Sequence, residues 1–145
     1  MAFLNGIDIA ASGLTAQRLR MDVIANNLAN ANTTRSAKGG PYRRQMVVFE
    51  SQSAPGQSFD DVLNNKIKNY GGVRVKQITE DQGPFKQVYD PSNPDADKNG
   101  YVSYPNVNVV TEMVDMISAT RSYEANVTAM NSIKSMSMKA LDIGR

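Results

Sequence analysis

Residues 104–141 read YPNVNVVTEMVDMISATRSYEANVTAMNSIKSMSMKAL, and this stretch sets the architecture of the chain. Pro105 has no amide hydrogen and restricts the residue before it, so a helix is expected to begin just beyond it, with Asn106 or Asn108 as its cap. From Val109 onward, apolar or near-apolar side chains recur at alternating spacings of four and three, with no Pro or Gly between them. The pattern predicts one helix of roughly 35 residues, about 50 Å long. Its narrow apolar stripe is typical of a seam between helices.

Residues 1–33 show the same alternation of four and three, with one polar break at Gln17. The series is Phe3, Ile7, Ala10, Leu14, Gln17, Met21, Ile24, Leu28 and Ala31. It predicts a second seam helix that ends in an Asn-rich turn, because Asn competes for backbone groups and tolerates the left-handed conformation. The two helices could fold back on each other or assemble with neighbouring molecules.

Residues 34–104 differ in composition from the two helical segments, since they hold every proline except Pro105 and most of the aromatic residues. Gly and Pro turns separate short apolar runs, which predict strands at 42–50, 73–78 and 85–89. Residues 59–70 read as weakly helical or irregular. The chain is therefore expected to be mainly α, with a small, loop-rich β insert between two long helices.

The composition excludes several classes of function. The chain has no Cys and no His, so disulfides and Ser-His or Cys-His catalysis are ruled out, and zinc and haem lose their commonest ligands. The formal charge of +2 does not indicate a nucleic-acid partner. The sequence shows neither a run of ~18 apolar residues nor a cationic, cleavable leader, so we expect no membrane span and no Sec signal peptide. Ordinary signals would place such a protein in the cytosol, unless a dedicated secretion machine exports it.

Residues 95–100, Asp-Ala-Asp-Lys-Asn-Gly, match the opening of an EF-hand calcium loop. The match then fails, because Asn106 stands where the twelfth position needs a carboxylate, and Pro91 and Pro94 are incompatible with the entering helix. A turn rich in Asp, Asn and Gly explains the same residues. The sequence contains no enzyme signature and calls for no cofactor or metal, which leaves a helical assembly subunit as the expectation from the residues.

Three segments resemble a known family. Residues 26–33, NNLANANT, resemble the N-terminal signature of bacterial flagellar axial proteins, and residues 71–75, GGVRV, resemble a strand that many of them carry. Residues 90–127 are similar to the flagellar basal-body rod protein family, in particular to proximal-rod proteins of the C type. The motif residues are Asn26, Asn27, Asn30, Pro105 and Asn106.

The resemblance implies a structural subunit of the proximal rod, which self-assembles and co-assembles into the hollow drive shaft for motility. Residues 1–33 and 105–145 would pair as an α-helical coiled coil in one inner domain, with residues 34–104 further out. The implied partners are copies of itself, other rod proteins, the protein that joins the rod to the membrane ring, and the flagellar type III export apparatus. Export would carry the subunit into the basal body, across the periplasm or cell wall, without a cleaved signal peptide.

By the same resemblance, a set of seam residues is expected to form the assembly interface, and Asn27 and Asn30 to satisfy polar groups at tight junctions. The seam set is Leu14, Met21, Ile24 and Leu28 in the first helix and Met113, Ile117, Tyr123, Val127 and Met130 in the second. An alternative hypothesis is a soluble, calcium-responsive helical adaptor that uses the Asp95–Gly100 loop. A wall-cutting hydrolase ranks third.

Overall fold

The computed structural model describes residues 2–36, 39–53 and 70–143. The elements are α1 (Ala2–Ala29), β1 (Gln45–Ser53), β2 (Tyr70–Glu80), β3 (Lys86–Tyr89), β4 (Tyr101–Tyr104) and α2 (Val109–Ile143). Two long terminal helices with a small antiparallel β segment between them confirm the predicted helical class with its β insert.

Asn side chains mark the inner ends of both helices. The Asn108 Oδ1 accepts hydrogen bonds from the backbone N–H groups of Val110 and Thr111, at 3.0 and 3.3 Å, so Asn108 is the N-cap of α2. At the end of α1, the Asn30 Nδ2 donates to the carbonyl and the side-chain oxygen of Asn26, both at 2.9 Å. The Asn26 carbonyl also accepts from the Asn30 backbone N–H at 3.1 Å, so Asn30 bonds to it through both main chain and side chain at the helix end.

The two helices pack antiparallel with a heptad step. A Cβ added to Gly6 would lie 3.2 Å from Ile133, and one added to Gly13 would lie 2.9 Å from the Asn126 amide. Further along, the side chain of Asn27 contacts that of Glu112. Each advance of seven or fourteen residues along α1 is matched by an equal step back along α2. Glycine at positions 6 and 13 lets the two backbones approach closely.

The described strands form two antiparallel hairpins. Strands β1 and β2 pair antiparallel from Gln45 opposite Glu80, with a register shift between Val48 and Phe49. Strands β3 and β4 pair antiparallel and place Val88 opposite the fully buried Val102. The predicted strands correspond to β1, β2 and β3. The predicted weakly helical segment 59–70 lies outside the described residues, except for position 70, where β2 begins.

Strand β4 was not predicted, because residues 95–100 read as a turn and no strand was expected between that turn and the second helix. The structure shows that the turn is the loop of the β3–β4 hairpin. The Asp97 Oδ1 accepts from the backbone N–H groups of Asn99 and Tyr101, at 2.8 and 2.9 Å, and Gly100 has a φ of 81°. These contacts turn the chain back so that the four residues after Gly100 can pair with β3.

Strand β2 is joined to α1 at a glycine. Gly72 has a φ of 96°, and a Cβ there would collide with the Ser12 Oγ. The next residue, Val73, donates its backbone N–H to the same Ser12 Oγ at 3.1 Å, and that hydroxyl donates to the Ile9 carbonyl at 2.7 Å. Only a residue without a side chain allows this approach.

The buried apolar side chains of the described residues are few and mostly small: Ala10, Ala16, Val23, Ile24, Val102 and Ala119. Many large apolar side chains of α2 remain exposed, among them Val110 at 70% and Leu141 at 72%. None of the helices traced in the described ranges combines the length and the apolar character needed to cross a membrane.

Candidate functional site

Four side chains from three parts of the chain meet where the inner ends of the two helices lie together. We call them the junction cluster: Asn27 from the last turns of α1, Tyr42 and Arg44 from the segment before β1, and Glu112 from the first turn of α2. Asn27 and Glu112 are each only 1% exposed. Because buried polar groups are costly unless they are paired, each polar atom of this cluster needs a hydrogen-bond or ion-pair partner.

Every hydrogen-bonding position of the Asn27 carboxamide is occupied. Its Nδ2 donates to the Glu112 Oε2 and to the Gln45 carbonyl, both at 2.9 Å. Its Oδ1 accepts from the Tyr42 hydroxyl and from the Gln45 backbone N–H, also both at 2.9 Å. A carboxamide has two donors and two acceptor lone pairs, so one side chain joins α1, β1 and α2 with no capacity left for a ligand.

The Glu112 carboxylate is compensated on both oxygens. The Arg44 Nε donates to Oε1 at 2.6 Å, while Asn27 occupies Oε2. Arg44 also lies 3.5 Å from the Asp115 carboxylate, and Arg20 of α1 pairs with that same carboxylate at 3.2 Å. The position of Glu112 in the first turn of α2 adds a favourable interaction with the helix dipole. A charge buried this deeply is tolerated only with such complete pairing.

The Tyr42 hydroxyl belongs to the cluster as a donor. Burial raises the pKa of Tyr42 above its ordinary value, and the Glu112 and Glu80 carboxylates raise it further. The hydroxyl therefore stays protonated at neutral pH and keeps its hydrogen bond to Asn27.

Asn106 extends the cluster to the second hairpin. Its Oδ1 accepts from the Arg44 backbone N–H at 2.9 Å, and its Nδ2 donates to the Asp81 carbonyl at 3.2 Å. The Arg43 guanidinium donates to the same carbonyl at 3.1 Å and lies 4.3 Å above the Phe85 ring. These contacts tie the segments after β2 and before α2 to the start of β1.

The junction cluster holds segments of the chain together. Its polar atoms bond to one another, and its ions are paired internally. Across the described ranges, no group of three or more Asp, Glu, His or Cys side chains is placed to hold a metal ion. In the Asp95–Gly100 segment, Asp97 accepts backbone hydrogen bonds and Asp95 accepts one from the Thr34 hydroxyl at 2.8 Å.

The motif residues have distinct positions. Asn27 lies in the junction cluster, Asn30 and Asn26 close the end of α1, and Pro105 is buried beside Asn106, which links the two hairpins. Tyr42, Arg44 and Glu112 were not predicted from the sequence as parts of a site. Only the position of Glu112 gave a hint in the sequence. An acidic residue in the first turn of a long helix interacts favourably with the helix dipole and can also form an ion pair with another segment.

The seam residues fall into three groups. Ile24 is buried; Leu14, Met21, Leu28, Tyr123, Val127 and Met130 are half-buried; Met113 and Ile117 are both 54% exposed. Met21 lies against Thr120, with its Sδ 3.6 Å from the hydroxyl.

Met113 and Ile117 are thus more exposed within the chain than the other residues of the predicted seam. The face of α2 turned toward the rest of the molecule runs through Glu112, Met116, Ala119, Tyr123, Asn126, Met130 and Ile133. In the predicted seam set, Met113 and Val127 stand one residue beyond Glu112 and Asn126, the two polar residues that lie on this inner face. The role of Met113 and Ile117 in contacts between subunits stays a prediction.

Known proteins resemble this chain along its whole length. Residues 98–143 match the family described as "Flagellar basal body rod FlgEFG protein C-terminal", and residues 7–35 match the one described as "Flagella basal body rod protein". The chain is 51% identical to the flagellar basal-body rod protein FlgC of Bacillus subtilis, with 100% of both chains covered. It is 52% identical to FlgC of Borreliella burgdorferi, covering 99% of this chain and 98% of the relative. It is 49% identical to FlgC of Salmonella typhimurium, with 100% of both covered.

Proposed function

Because the chain belongs to the flagellar basal-body rod protein family, we propose that it builds the proximal rod by packing its helix pair against those of neighbouring subunits. As a member of that family it is a structural component of the flagellar basal body and not an enzyme. The proposal concerns how it assembles: copies of this chain and other rod proteins share contacts along α1 and α2, which pair as a coiled coil around a hollow shaft.

The observation that carries this proposal is the outer face of α2. Near the helix start, Val110, Met113, Val114 and Ile117 are 70, 54, 62 and 54% exposed. These residues form a continuous apolar surface on the side of α2 away from the seam. Surfaces of this kind mark protein contacts. Neighbouring helices would cover it and contribute the burial that the thin core of the single chain lacks.

The junction cluster suits a part that transmits torque. Torque passes from subunit to subunit only if the helices and the β segment of each subunit move together. The carboxamide of Asn27 and the Arg44–Glu112 ion pair tie α1, β1 and α2 at one point. We infer that this point transfers load from the helical layer to the outer segment, residues 34–104.

Further partners follow from the proposed role. The subunit would leave the cell interior through the flagellar type III export apparatus without a cleaved signal peptide. It would then meet the protein that joins the rod to the membrane ring.

The assembly proposal is tested by placing a charge on the outer face. Met113→Asp and Ile117→Asp should abolish swimming and remove the chain from purified basal bodies, because each buries an unpaired carboxylate between subunits. Both side chains are more than half exposed in the single chain. Circular dichroism and urea unfolding of the purified variants should therefore match those of the unmodified chain.

Thr111→Asp is the matched control. Thr111 is also exposed near the start of α2, but helix geometry places it on nearly the opposite side from Met113. Swimming and incorporation should persist in this variant. If all three variants assemble normally, the outer face of α2 is not a subunit contact.

A further inference from the structure

A cleft of about 320 Å³ lies between β1 and the helix pair. Val23 and Ile24 of α1 and Val47 and Phe49 of β1 are among the residues that line it. Of the described residues, none from β2 lines this space. The cleft therefore runs beside the edge of β1 that β2 does not cover, and we call it the β1 cleft.

The backbone of β1 shows which of its residues face this edge. In an antiparallel pair, successive residues turn their N–H and C=O groups alternately toward the partner strand and away from it. The N–H and C=O of Gln45 both bond to the Asn27 carboxamide, at 2.9 Å, so Gln45 turns away from β2. At the register shift the extra residue is Lys76 of β2, which leaves the alternation within β1 unbroken. Val47 and Phe49 therefore turn their backbone groups away from β2 as well.

These outward backbone groups have no partner in the part of the chain that the structure describes. No hydrogen bond joins Val47 or Phe49 to a described segment other than β2. Just before them, the Asn27 carboxamide pairs with Gln45 by one donated and one accepted hydrogen bond, as a residue of a third strand would. An unpaired strand edge of this kind accepts an additional strand.

The side chains around the cleft favour an uncharged segment. Four of the lining side chains are charged and pair with one another: Arg20, Arg44, Glu112 and Asp115. Because their formal charges sum to zero, they do not select a charged ligand. Val23 and Ile24 are 6 and 5% exposed and contribute apolar surface to the cleft. A bound strand would turn every second side chain toward one face, where such a surface can receive it.

A second copy of this chain does not suit the cleft. All four described strands are already paired in hairpins. A copy that offered one of these strands would have to bring the second strand of its hairpin into the same space. A single extended segment needs only the width of one strand, about 4.8 Å.

We propose that the β1 cleft binds an extended, uncharged segment of a different protein, which adds a third strand to β1 beside Val47 and Phe49. The segment turns alternate apolar side chains toward Val23 and Ile24, and it has no proline where it pairs, because proline lacks the N–H donor. The β1 cleft shares no lining residue with the apolar outer face of α2. The contact is therefore independent of the helix packing in the proposed function.

A peptide probe tests the strand addition. The probe is a short peptide of alternating Thr and Val with blocked ends, since both residue types favour strands. It would be titrated into the purified, isotopically labelled chain while amide hydrogen exchange is followed by NMR. The amides of Val47 and Phe49 should become protected, because the bound strand accepts hydrogen bonds from them. If no protection develops at about 1 mM peptide, the proposal is wrong.

Two methylated forms of the same peptide are the matched controls. One carries N-methyl groups on every Val and the other on every Thr, so each loses alternate N–H donors and keeps all side chains. A strand that pairs along one edge uses only one of these two sets. One methylated peptide should therefore lose binding while the other retains it. Equal behaviour of the two peptides would contradict strand addition.

Proline substitutions in β1 test the same contact from the side of the protein. Val47→Pro removes an N–H that points away from β2, so it should leave the pairing of β1 with β2 intact and weaken peptide binding at least about tenfold. Ser51→Pro is the matched control. Ser51 turns toward the same edge by the same alternation but does not line the cleft, so peptide binding should persist. Equal affinities of the two variants would overturn the assignment of the cleft.

The urea unfolding midpoints of both proline variants should stay close to that of the unmodified chain. If Val47→Pro unfolds early, the methylated peptides still decide the question with the unmodified protein. Protection of Val47 that grows with protein concentration in the absence of peptide would show that a second copy fills the cleft, and the proposal would be wrong. Failure of strand addition leaves the rod function standing, because the outer face of α2 is tested separately by Met113→Asp.

Discussion

The role of Asn27 depends on the number of hydrogen bonds that a carboxamide can form. Its two donors and two acceptor positions are all occupied, by Gln45, Tyr42 and Glu112. Aspartate has the same shape but no donor, and it would lie beside the Glu112 carboxylate. Leucine has the same size but would leave four polar groups without partners. Very few side chains can therefore replace Asn27.

We predict that Asn27→Ala lowers the free energy of unfolding by about 3–5 kcal/mol, because buried donors and acceptors lose their partners and the Glu112 carboxylate loses one of its two compensating contacts. Urea unfolding of the purified chain, followed by circular dichroism, would measure the loss.

Asn26→Ala is the control for that variant. Asn26 is its exposed neighbour, and its side chain contacts Asn30 at the helix end. Its replacement should change the free energy by no more than about 0.5 kcal/mol. Equal losses in the two variants would show that the junction cluster contributes nothing beyond an ordinary surface contact.

At the scale of helices and strands, the spacing of apolar residues was enough to predict two long helices and three of the four strands found among the described residues. The inner face of α2 could not be predicted from the same rule. On that face Glu112 is buried and Asn126 is half-buried, and the residues that accommodate them lie far along the chain: Arg44, Asn27 and Gly13. The spacing of apolar residues alone predicts that Met113, and not Glu112, lies on the inner face. Strand β4 was missed for a similar reason, because its pairing depends on the loop that Asp97 closes.

At this scale we predict the effect of replacing a glycine of α1 that packs against α2. Gly13→Leu should destabilise the chain by about 2–3 kcal/mol, because an added Cβ alone would lie 2.9 Å from the Asn126 amide and the helices would have to separate. Leucine favours helices by close to 1 kcal/mol over glycine, so the loss would report packing alone.

The control is Thr15→Leu, two residues further along the same helix and exposed. It should leave the melting temperature nearly unchanged. The combination of Gly13→Leu with Asn126→Ala should recover part of the lost stability. A melting temperature of Gly13→Leu equal to that of the unmodified chain would mean that α1 and α2 do not pack at this point.

At the scale of the whole molecule, burial is uneven along the helix pair. Most of the deeply buried side chains, from Ala16 to Asn27 and from Glu112 to Ala119, belong to the half that contains the junction cluster. The opposite half relies on glycine contacts near Gly6 and Gly13 and exposes Met136, Met138 and Leu141. One end of the helix pair is therefore well packed, and the other end has few buried side chains.

Amide hydrogen exchange should reveal this gradient. In dilute monomer, residues 112–126 should exchange slowly and residues 134–142 quickly, since local opening follows the density of buried contacts. In purified basal bodies the second segment should become protected as well. Equal protection of both segments in the monomer would mean that α2 is stable without neighbours, and that its exposed apolar faces are not needed for its order.

The hydrogen bond between Asn27 and Glu112 spans 85 residues of sequence. It sets a limit on when the subunit can fold during its synthesis. At about 5–20 residues per second, the ribosome finishes Asn27 roughly 4–17 s before it reaches Glu112. Throughout that interval α1 is complete but has no second helix to pack against, and the Asn27 carboxamide has no carboxylate to bind. Because Asn27 is synthesised before Glu112, the nascent chain cannot complete its fold for several seconds. During that time another protein can bind its first helix.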